Sequence, residues 1–524
     1  MQHYTNIEVI GNTIFERYVK DGVRLSRKTN YQPTLFHHAA PGVETKHKDI
    51  YGRFCVPKKH ENIWEAKQWQ KRMAEIGQDA MGMDDYCISY ISDNYRGVID
   101  FDRDNVIIDV VDIEVTAPEF PDPKFAKYEI DMISHVRLHE GKKTYYIFDL
   151  VKDVGHWDPS KSVLDKYILD NVVYMPFDTE IDLLLNYIQL WKSSTPDLVF
   201  GWNSEGFDIP YIITRIINIL GESAANQLSP YGKISSKTIT NMYGEKTIYR
   251  IHGVALMDYM DVFKKFSFTV MPDYKLGNVG YREVKADKLE YDGPINKFRA
   301  ADHQRYVDYC VRDTDIILLI DGRRCFIDLI LSLCYYAKIR FEDVLGTIKV
   351  WDSIIFNSLV EKNVVIPMMK ASPKQSFPGA YVKEPVPGAY RYGMSFDLTS
   401  LYPSILRLLN ISPEMIAGMF APAHLDDYIN KTAPKPSEVY SCAPNGMMYK
   451  RGEVGVLPAE TEKVFLQRKA EKKMMLAAIR NQEAIKKNSG FQGRKGRPLM
   501  FRFRMGVILC THLGGITLCG TFTK

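Results

Sequence analysis

The sequence predicts a multidomain α/β protein, and three observations predict it. The chain has 524 residues, which at ~150 residues per domain suggests about three or four domains. Its composition, 45% hydrophobic and 25% charged, is that of ordinary globular protein and excludes disordered, collagen-like and coiled-coil classes. Across 145–320, short apolar runs alternate with longer helical patterns, as strands interleaved with helices should.

Taken in order, residues 1–105 mix short β-rich runs (7–18 and 87–91) with a helix around 64–76. The run 106–115 is β-branched and nearly continuous in apolar character, which predicts a buried central strand. A strand is expected at 198–201, a helix at 211–220, and a hairpin at 238–254 with Tyr243, Gly244 and Glu245 at its tip. Helices are expected at 304–323 and 326–338. Pro and Gly thicken between 367 and 393, a domain boundary, and a strand-turn unit is expected at 395–405. A long basic helix spans 460–487, and a loop-like stretch follows Asn488.

Charge is unevenly spread. The net is +4, yet residues 463–504 hold 13 Lys/Arg against 2 Asp/Glu, which leaves the rest of the chain acidic. Such a block suits phosphate contacts on nucleic acid or nucleotide. The N-terminus lacks the basic start and apolar run of a secretory signal. The eight cysteines form no CxxC pair, so reduced thiols are expected and a zinc site is not. The uncharged run 505–523 carries four glycines and His512, which makes it a poor membrane span.

The chemistry-bearing residues are acids. Asp112 and Glu114, at i and i+2 on a strand, project from one face. Two such charges in an apolar strand are costly unless a cation neutralises them, and hard oxygen ligands favour Mg²⁺ or Mn²⁺. Asp208 closes the turn-rich run Gly201-Trp-Asn-Ser-Glu-Gly-Phe-Asp208, and Asp313 lies four residues after Tyr309 on a helix, so those two share a face.

The ordered set DxE, NxxxFD and YxxxD resembles the DEDD exonucleases. That resemblance implies an RNase H-like domain in which Asp112, Glu114, Asp208 and Asp313 hold two metal ions and Tyr309 orients the attacking water. A second motif names a family. Asp397-Leu-Thr-Ser-Leu-Tyr-Pro-Ser-Ile405 fills every fixed position of DxxSLYPSI, the first palm motif of family B DNA polymerases. It implies that Asp397 and the carbonyl of Leu398 bind metal. It also implies that Ser400, Leu401 and Tyr402 contact an incoming dNTP, with Tyr402 excluding a ribose 2′-OH. Gln467-Arg-Lys-Ala-Glu-Lys472 resembles the fingers segment that grips triphosphate, through Arg468 and Lys472.

From about residue 4 to Lys487 the chain is similar to the replicative polymerases of T-even-type bacteriophages. The implied domains are 1–105, N-terminal; 106–325, 3′→5′ exonuclease; 326–368, a return segment of the N-terminal domain; 369–454, partial palm; 455–487, partial fingers; and 488–524, a non-homologous tail. The second fingers motif KxxxNSxYG and the second palm motif YxDTDS are not found. The Asp-Thr-Asp at 313–315 is a decoy in a helical run. The expectation is therefore the N-terminal part of a phage replicative polymerase, with a whole exonuclease and half of a polymerase site. A second chain would complete it, in the cytoplasm of an infected bacterium. Its expected partners are primer–template and single-stranded DNA, dNTPs, its own mRNA and, through a C-terminal part, a sliding clamp; no membrane is expected. A stand-alone exonuclease and a nucleic-acid-binding translational regulator stay open as alternatives.

Overall fold

The computed structural model describes residues 1–489 apart from 242–243, 268, 287, 290–294, 369–383, 397, 399, 421–426, 428–429 and 434–436. The chain packs as two units. One comprises Met1–Tyr31, Asn62–Trp64 and Ser89–Leu345; the other comprises Gln32–Glu61, Glu65–Ile88 and the chain from Gly346 on.

The first unit opens with an antiparallel meander, Gln2–Ile10, Thr13–Lys20 and Val23–Asn30, turned by Gly11 and Gly22 at positive φ. Its main body is a six-stranded mixed sheet. The central strand Ile108–Glu114 runs antiparallel to Met132–His139 and parallel to Leu198–Gly201. Lys142–Leu150 and Val172–Phe177 extend one side, and Ala255–Asp258 closes the other. The central strand is β-branched because it is covered on both faces, with Val110 and Val111 fully buried. Helices Glu180–Ser193 and Asp208–Leu220 supply Leu183, Leu184, Tyr187, Ile212, Ile213 and Ile216 to the core on one side. The long helix His303–Arg324 is capped at its start by the Asp302 carboxylate. It is tied to the sheet by a 2.8 Å hydrogen bond between the Thr314 and Ser134 hydroxyls. The hairpin pairs Ile234–Asn241 with Gly244–Ile251, and its tip residue Tyr243 lies outside the described residues.

The second unit holds a four-stranded sheet in the order Val364–Val365, His47–Asp49, Phe54–Lys59, Thr34–His38. It also holds a three-stranded sheet of Ile416–Met419, Met447–Lys450 and Tyr440–Cys442, and the long helix Val456–Ser489.

Two expectations are corrected. The run 87–91, expected to be β-rich, lies in helix Tyr86–Asn94. Its apolar doublets, Cys87 with Ile88 and Tyr90 with Ile91, are buried at helical spacing, and the Asp85 carboxylate accepts from the Cys87 and Ile88 amides at 3.0 and 3.3 Å. The strand-turn unit at 395–405 is also revised, because Leu401–Leu409 is a helix. Pro403 sits in its first turn, where a missing N–H costs nothing, and is buried with Leu406. The stretch after Ser489 lies outside the described residues, so the tail at 488–524 is not described beyond that point.

Candidate active site

The pleat of the central strand sets the site's first two members. Asp112 and Glu114 project from one face, with Asp112 opposite Ser134 and Glu114 opposite Met132 on the neighbouring strand. Asp313 comes from the long helix that crosses that face. One ligand oxygen from each of Asp112, Glu114 and Asp313 lies within 4.8 Å of the others. Among the described residues this is the one such cluster of metal-ligating side chains.

Asp208 enters differently. It is the first residue of its helix, at the end of a loop whose glycines are fixed by close approach. A Cβ on Gly201 would stand 2.6 Å from the Val111 carbonyl and 2.6 Å from Ser204 Cβ. A Cβ on Gly206 would stand 2.7 Å from Asn203 Oδ1. Trp202 Nε1 donates to the Tyr274 carbonyl at 2.8 Å and the Asn203 amide to Asp258 at 2.9 Å, which anchors the loop at both walls. Asp208 Oδ1 accepts the Ile113 amide at 3.0 Å, from the residue between Asp112 and Glu114. It is outside the three-carboxylate cluster, yet close enough for its charge to act on Asp112 and Glu114.

Four acids so placed resist ionisation. Asp112 and Glu114 keep some solvent contact, while Asp208 and Asp313 are 3% exposed. Burial, then Asp208, Asp313 and Glu114, hold the Asp112 carboxyl well above the usual carboxylate range. Burial and Asp313 push Glu114 up to about 8. Burial pushes Asp208 up to about 7, against the hydrogen bonds its oxygens accept. Asp313 is raised by burial and eased by Lys288 and Tyr309.

Lys288 is the residue that the sequence did not reveal. Its ammonium donates to Asp313, stands 3.3 Å from the Tyr309 hydroxyl and lies 5.2 Å from the centre of that ring. Burial works against its charge, but Asp313, Asp112 and Glu114 more than offset this and raise its pKa. It reaches the site from a loop, and no motif spacing marks it. Asp258, buried beside Asp208, was also missed.

Tyr309 and Asp313 share a helix face as expected. The decoy behaves as a structural element. Thr314 faces Ser134, and Asp315 accepts from Tyr145 at 2.8 Å and from Tyr167 at 2.6 Å.

The carboxylates fit a divalent cation. They offer several hard oxygens on one small volume, and the buried Asp313 Oδ1 has no hydrogen-bond partner. A lysine already serves as counter-charge beside them.

In the second unit Asp397 lies outside the described residues. Leu398, Leu401 and Tyr402 are exposed, and Ser400 adopts φ 52° just before the helix that Leu401 starts. Arg468 Nη1 donates to Ser400 Oγ at 3.2 Å, so two residues expected to contact one nucleotide meet. Lys472 is exposed one turn further along that helix.

A buried acidic cluster on a mixed sheet, followed in the chain by a basic helix, defines a nucleic-acid enzyme class that the known families resolve. The profile described as DNA polymerase family B, exonuclease domain, matches residues 90–279, and that described as DNA polymerase family B matches residues 346–488. The chain belongs to the family B DNA polymerases. It is 49% identical over 500 residues to the DNA-directed DNA polymerase of Enterobacteria phage T4, covering 93% of this chain and 55% of that protein. It is 48% identical, with the same coverage, to the DNA-directed DNA polymerase of Escherichia phage RB69. It is 24% identical over 370 residues to the DNA polymerase delta catalytic subunit of Dictyostelium discoideum, covering 67% of this chain and 31% of that one. The chain thus spans about half the length of the phage relatives. No helix among the described residues is long and apolar enough to cross a membrane.

Proposed function

We propose that this chain carries a metal-dependent 3′→5′ exonuclease on an RNase H-like domain and part of a DNA-directed DNA polymerase site, acting in the cytoplasm of an infected bacterium. The observation that carries the exonuclease is the convergence of Asp112, Glu114 and Asp313 with their ionisation suppressed. Asp112, Glu114, Asp208 and Asp313 would hold two Mg²⁺ or Mn²⁺ ions. Bound there, such ions supply an activated water and neutralise charge on both oxygens of an in-line displacement at phosphorus.

The chain's own residues do the rest. The strand and the helix fix the carboxylates against each other. Tyr309 presents a hydroxyl beside Asp313, where it orients the attacking water. Lys288 keeps the cluster from self-repulsion and offers a cation to the scissile phosphate. In the polymerase part, Asp397 and the Leu398 carbonyl would bind metal, and Ser400, Leu401, Tyr402, Arg468 and Lys472 would hold the dNTP. Primer–template DNA, single-stranded DNA and dNTPs are the corresponding partners.

The test is digestion of a 3′-labelled single-stranded oligonucleotide by the purified chain, with Mg²⁺ and with EDTA. Asp112→Ala with Glu114→Ala should lower the rate by several orders of magnitude while DNA binding largely survives. Digestion at the wild-type rate by that double variant would refute the assignment.

A further inference from the structure

Away from the acidic cluster, the first unit contains a cavity of about 600 Å³ between the N-terminal meander and the end of helix Glu180–Ser193. That size suits a small ligand. Its walls carry Arg17, Arg24, Arg27, Lys28 and Lys192, and no carboxylate lines it. Two carboxylates stand behind these cations. Asp197 pairs with Arg17 and Arg24 at 3.0 and 2.8 Å, and Glu16 pairs with Arg27. Five cations against two acids leave the cavity positive. The two lysines are exposed at its rim.

The same walls are aromatic. Phe15 and Tyr231 lie with ring centroids 4.8 Å apart, the Lys28 ammonium is 5.1 Å from the Phe15 ring, and the Arg27 guanidinium is 5.1 Å from that of Tyr18. Cations beside aromatic faces are what a phosphate joined to a base requires.

Two buried hydroxyls of the lining, Thr5 Oγ1 and Tyr231 Oη, have no hydrogen-bond partner. Thr5 is 1% exposed and is the extra residue of a β-bulge, since Tyr4 pairs with Tyr18 and Asn6 with Arg17. Bulges re-aim side chains, commonly beside sites of function. A buried hydroxyl without a partner is costly, and here both border one cationic cavity.

We propose that this cavity binds a nucleotide. The phosphate sits between Lys28, Lys192 and the arginines, the base lies against Phe15 and Tyr231, and a polar edge is read by the Thr5 and Tyr231 hydroxyls. The nucleotide is either free or one unit of a single strand; the chemistry recognised is the same. This site does not depend on the exonuclease reading.

The experiment is calorimetric titration of the full chain in EDTA at low salt, so that metal-dependent hydrolysis is off. The probes are AMP, inorganic phosphate and a single-stranded DNA octamer. AMP should bind at least about tenfold more tightly than phosphate, because the aromatic wall adds to the charge term. Lys28→Glu with Lys192→Glu should weaken AMP about tenfold or more, while Asp112→Ala with Glu114→Ala leaves it unchanged. Thr5→Val should weaken AMP without lowering the melting temperature, which separates lost recognition from lost folding. An octamer that binds more tightly than AMP, and loses that advantage in the lysine double variant, identifies a strand as the source. Equal affinities identify the free nucleotide. Phosphate binding as tightly as AMP, or AMP and octamer binding indifferent to the lysine substitutions, would overturn the proposal.

Discussion

Removing divalent cations should make the exonuclease unit less stable as pH rises, and returning them should reverse this. The perturbation is EDTA against Mg²⁺ or Mn²⁺ at pH 5.5 and pH 8. Glu114 is pushed from 4.5 to about 8 and Asp208 from 3.8 to about 7. A carboxyl whose folded pKa is raised contributes stability that is fully present below its unfolded value near 4. That stability is lost as pH climbs toward the folded value. Each shift of about three units would amount to ~4 kcal/mol for a fully dry group. Glu114 keeps some solvent contact and the acids share their protons, so about 2 kcal/mol for the cluster is the sounder figure. In a unit of this size that is a shift of ~4 °C. Calorimetry or dye-monitored melting of this unit should therefore show a cation-induced gain that is small at pH 5.5 and about 4 °C at pH 8. Asp112→Asn with Glu114→Gln should abolish the gain and, in EDTA at pH 8, melt higher than the parent. A gain that is equal at both pH values, or that survives in the double variant, would refute the reasoning.

Further outcomes follow from the same geometry. Tyr309→Phe should slow oligonucleotide digestion far less than Asp313→Ala, since the ligands remain; equal losses would make Tyr309 structural. Lys288→Met should lower both the digestion rate and the pH 8 melting temperature in EDTA, because it removes the cation beside Asp313. Asp315→Asn should destabilise the fold by about 1–2 kcal/mol through its two tyrosine partners, yet leave the cation-induced gain intact. Gly201→Ala should cost about 1–3 kcal/mol, because its Cβ meets the Val111 carbonyl, and digestion should fall with it as the Asp208 loop shifts.

Much of the sheet was legible because buried strands and amphipathic helices leave periodic marks. The strand Leu198–Gly201 falls where four consecutive apolar residues put it, and helix His303–Arg324 differs from its expected span by one residue at each end. The run 87–91 was misread because paired apolar residues satisfy both periods, and what decides for a helix is the Asp85 cap just before it. The acids of the site were legible from their spacing on regular elements. Lys288 was not, because a loop carries it to Asp313 and a loop position leaves no periodic trace. The cationic cavity was equally hidden. Its walls come from residues 5–28, 107, 192–195 and 230–231, which only the fold brings together.

One strand also shows how a structural acid differs from a chemical one. Asp109, three residues before Asp112, is fully buried on the opposite face of the central strand. Arg137 donates to its two oxygens at 2.9 and 2.7 Å, and His135 Nε2 stands 2.8 Å away. Against the penalty of burial, these partners hold its pKa below the usual value. Asp112 and Glu114 have like charges for neighbours and a single lysine shared through Asp313, and they are raised. The fold can therefore satisfy a buried carboxylate on this strand, and does so at Asp109. Leaving the other face acid-rich and under-neutralised is consistent with a site whose missing charge arrives with its ligands.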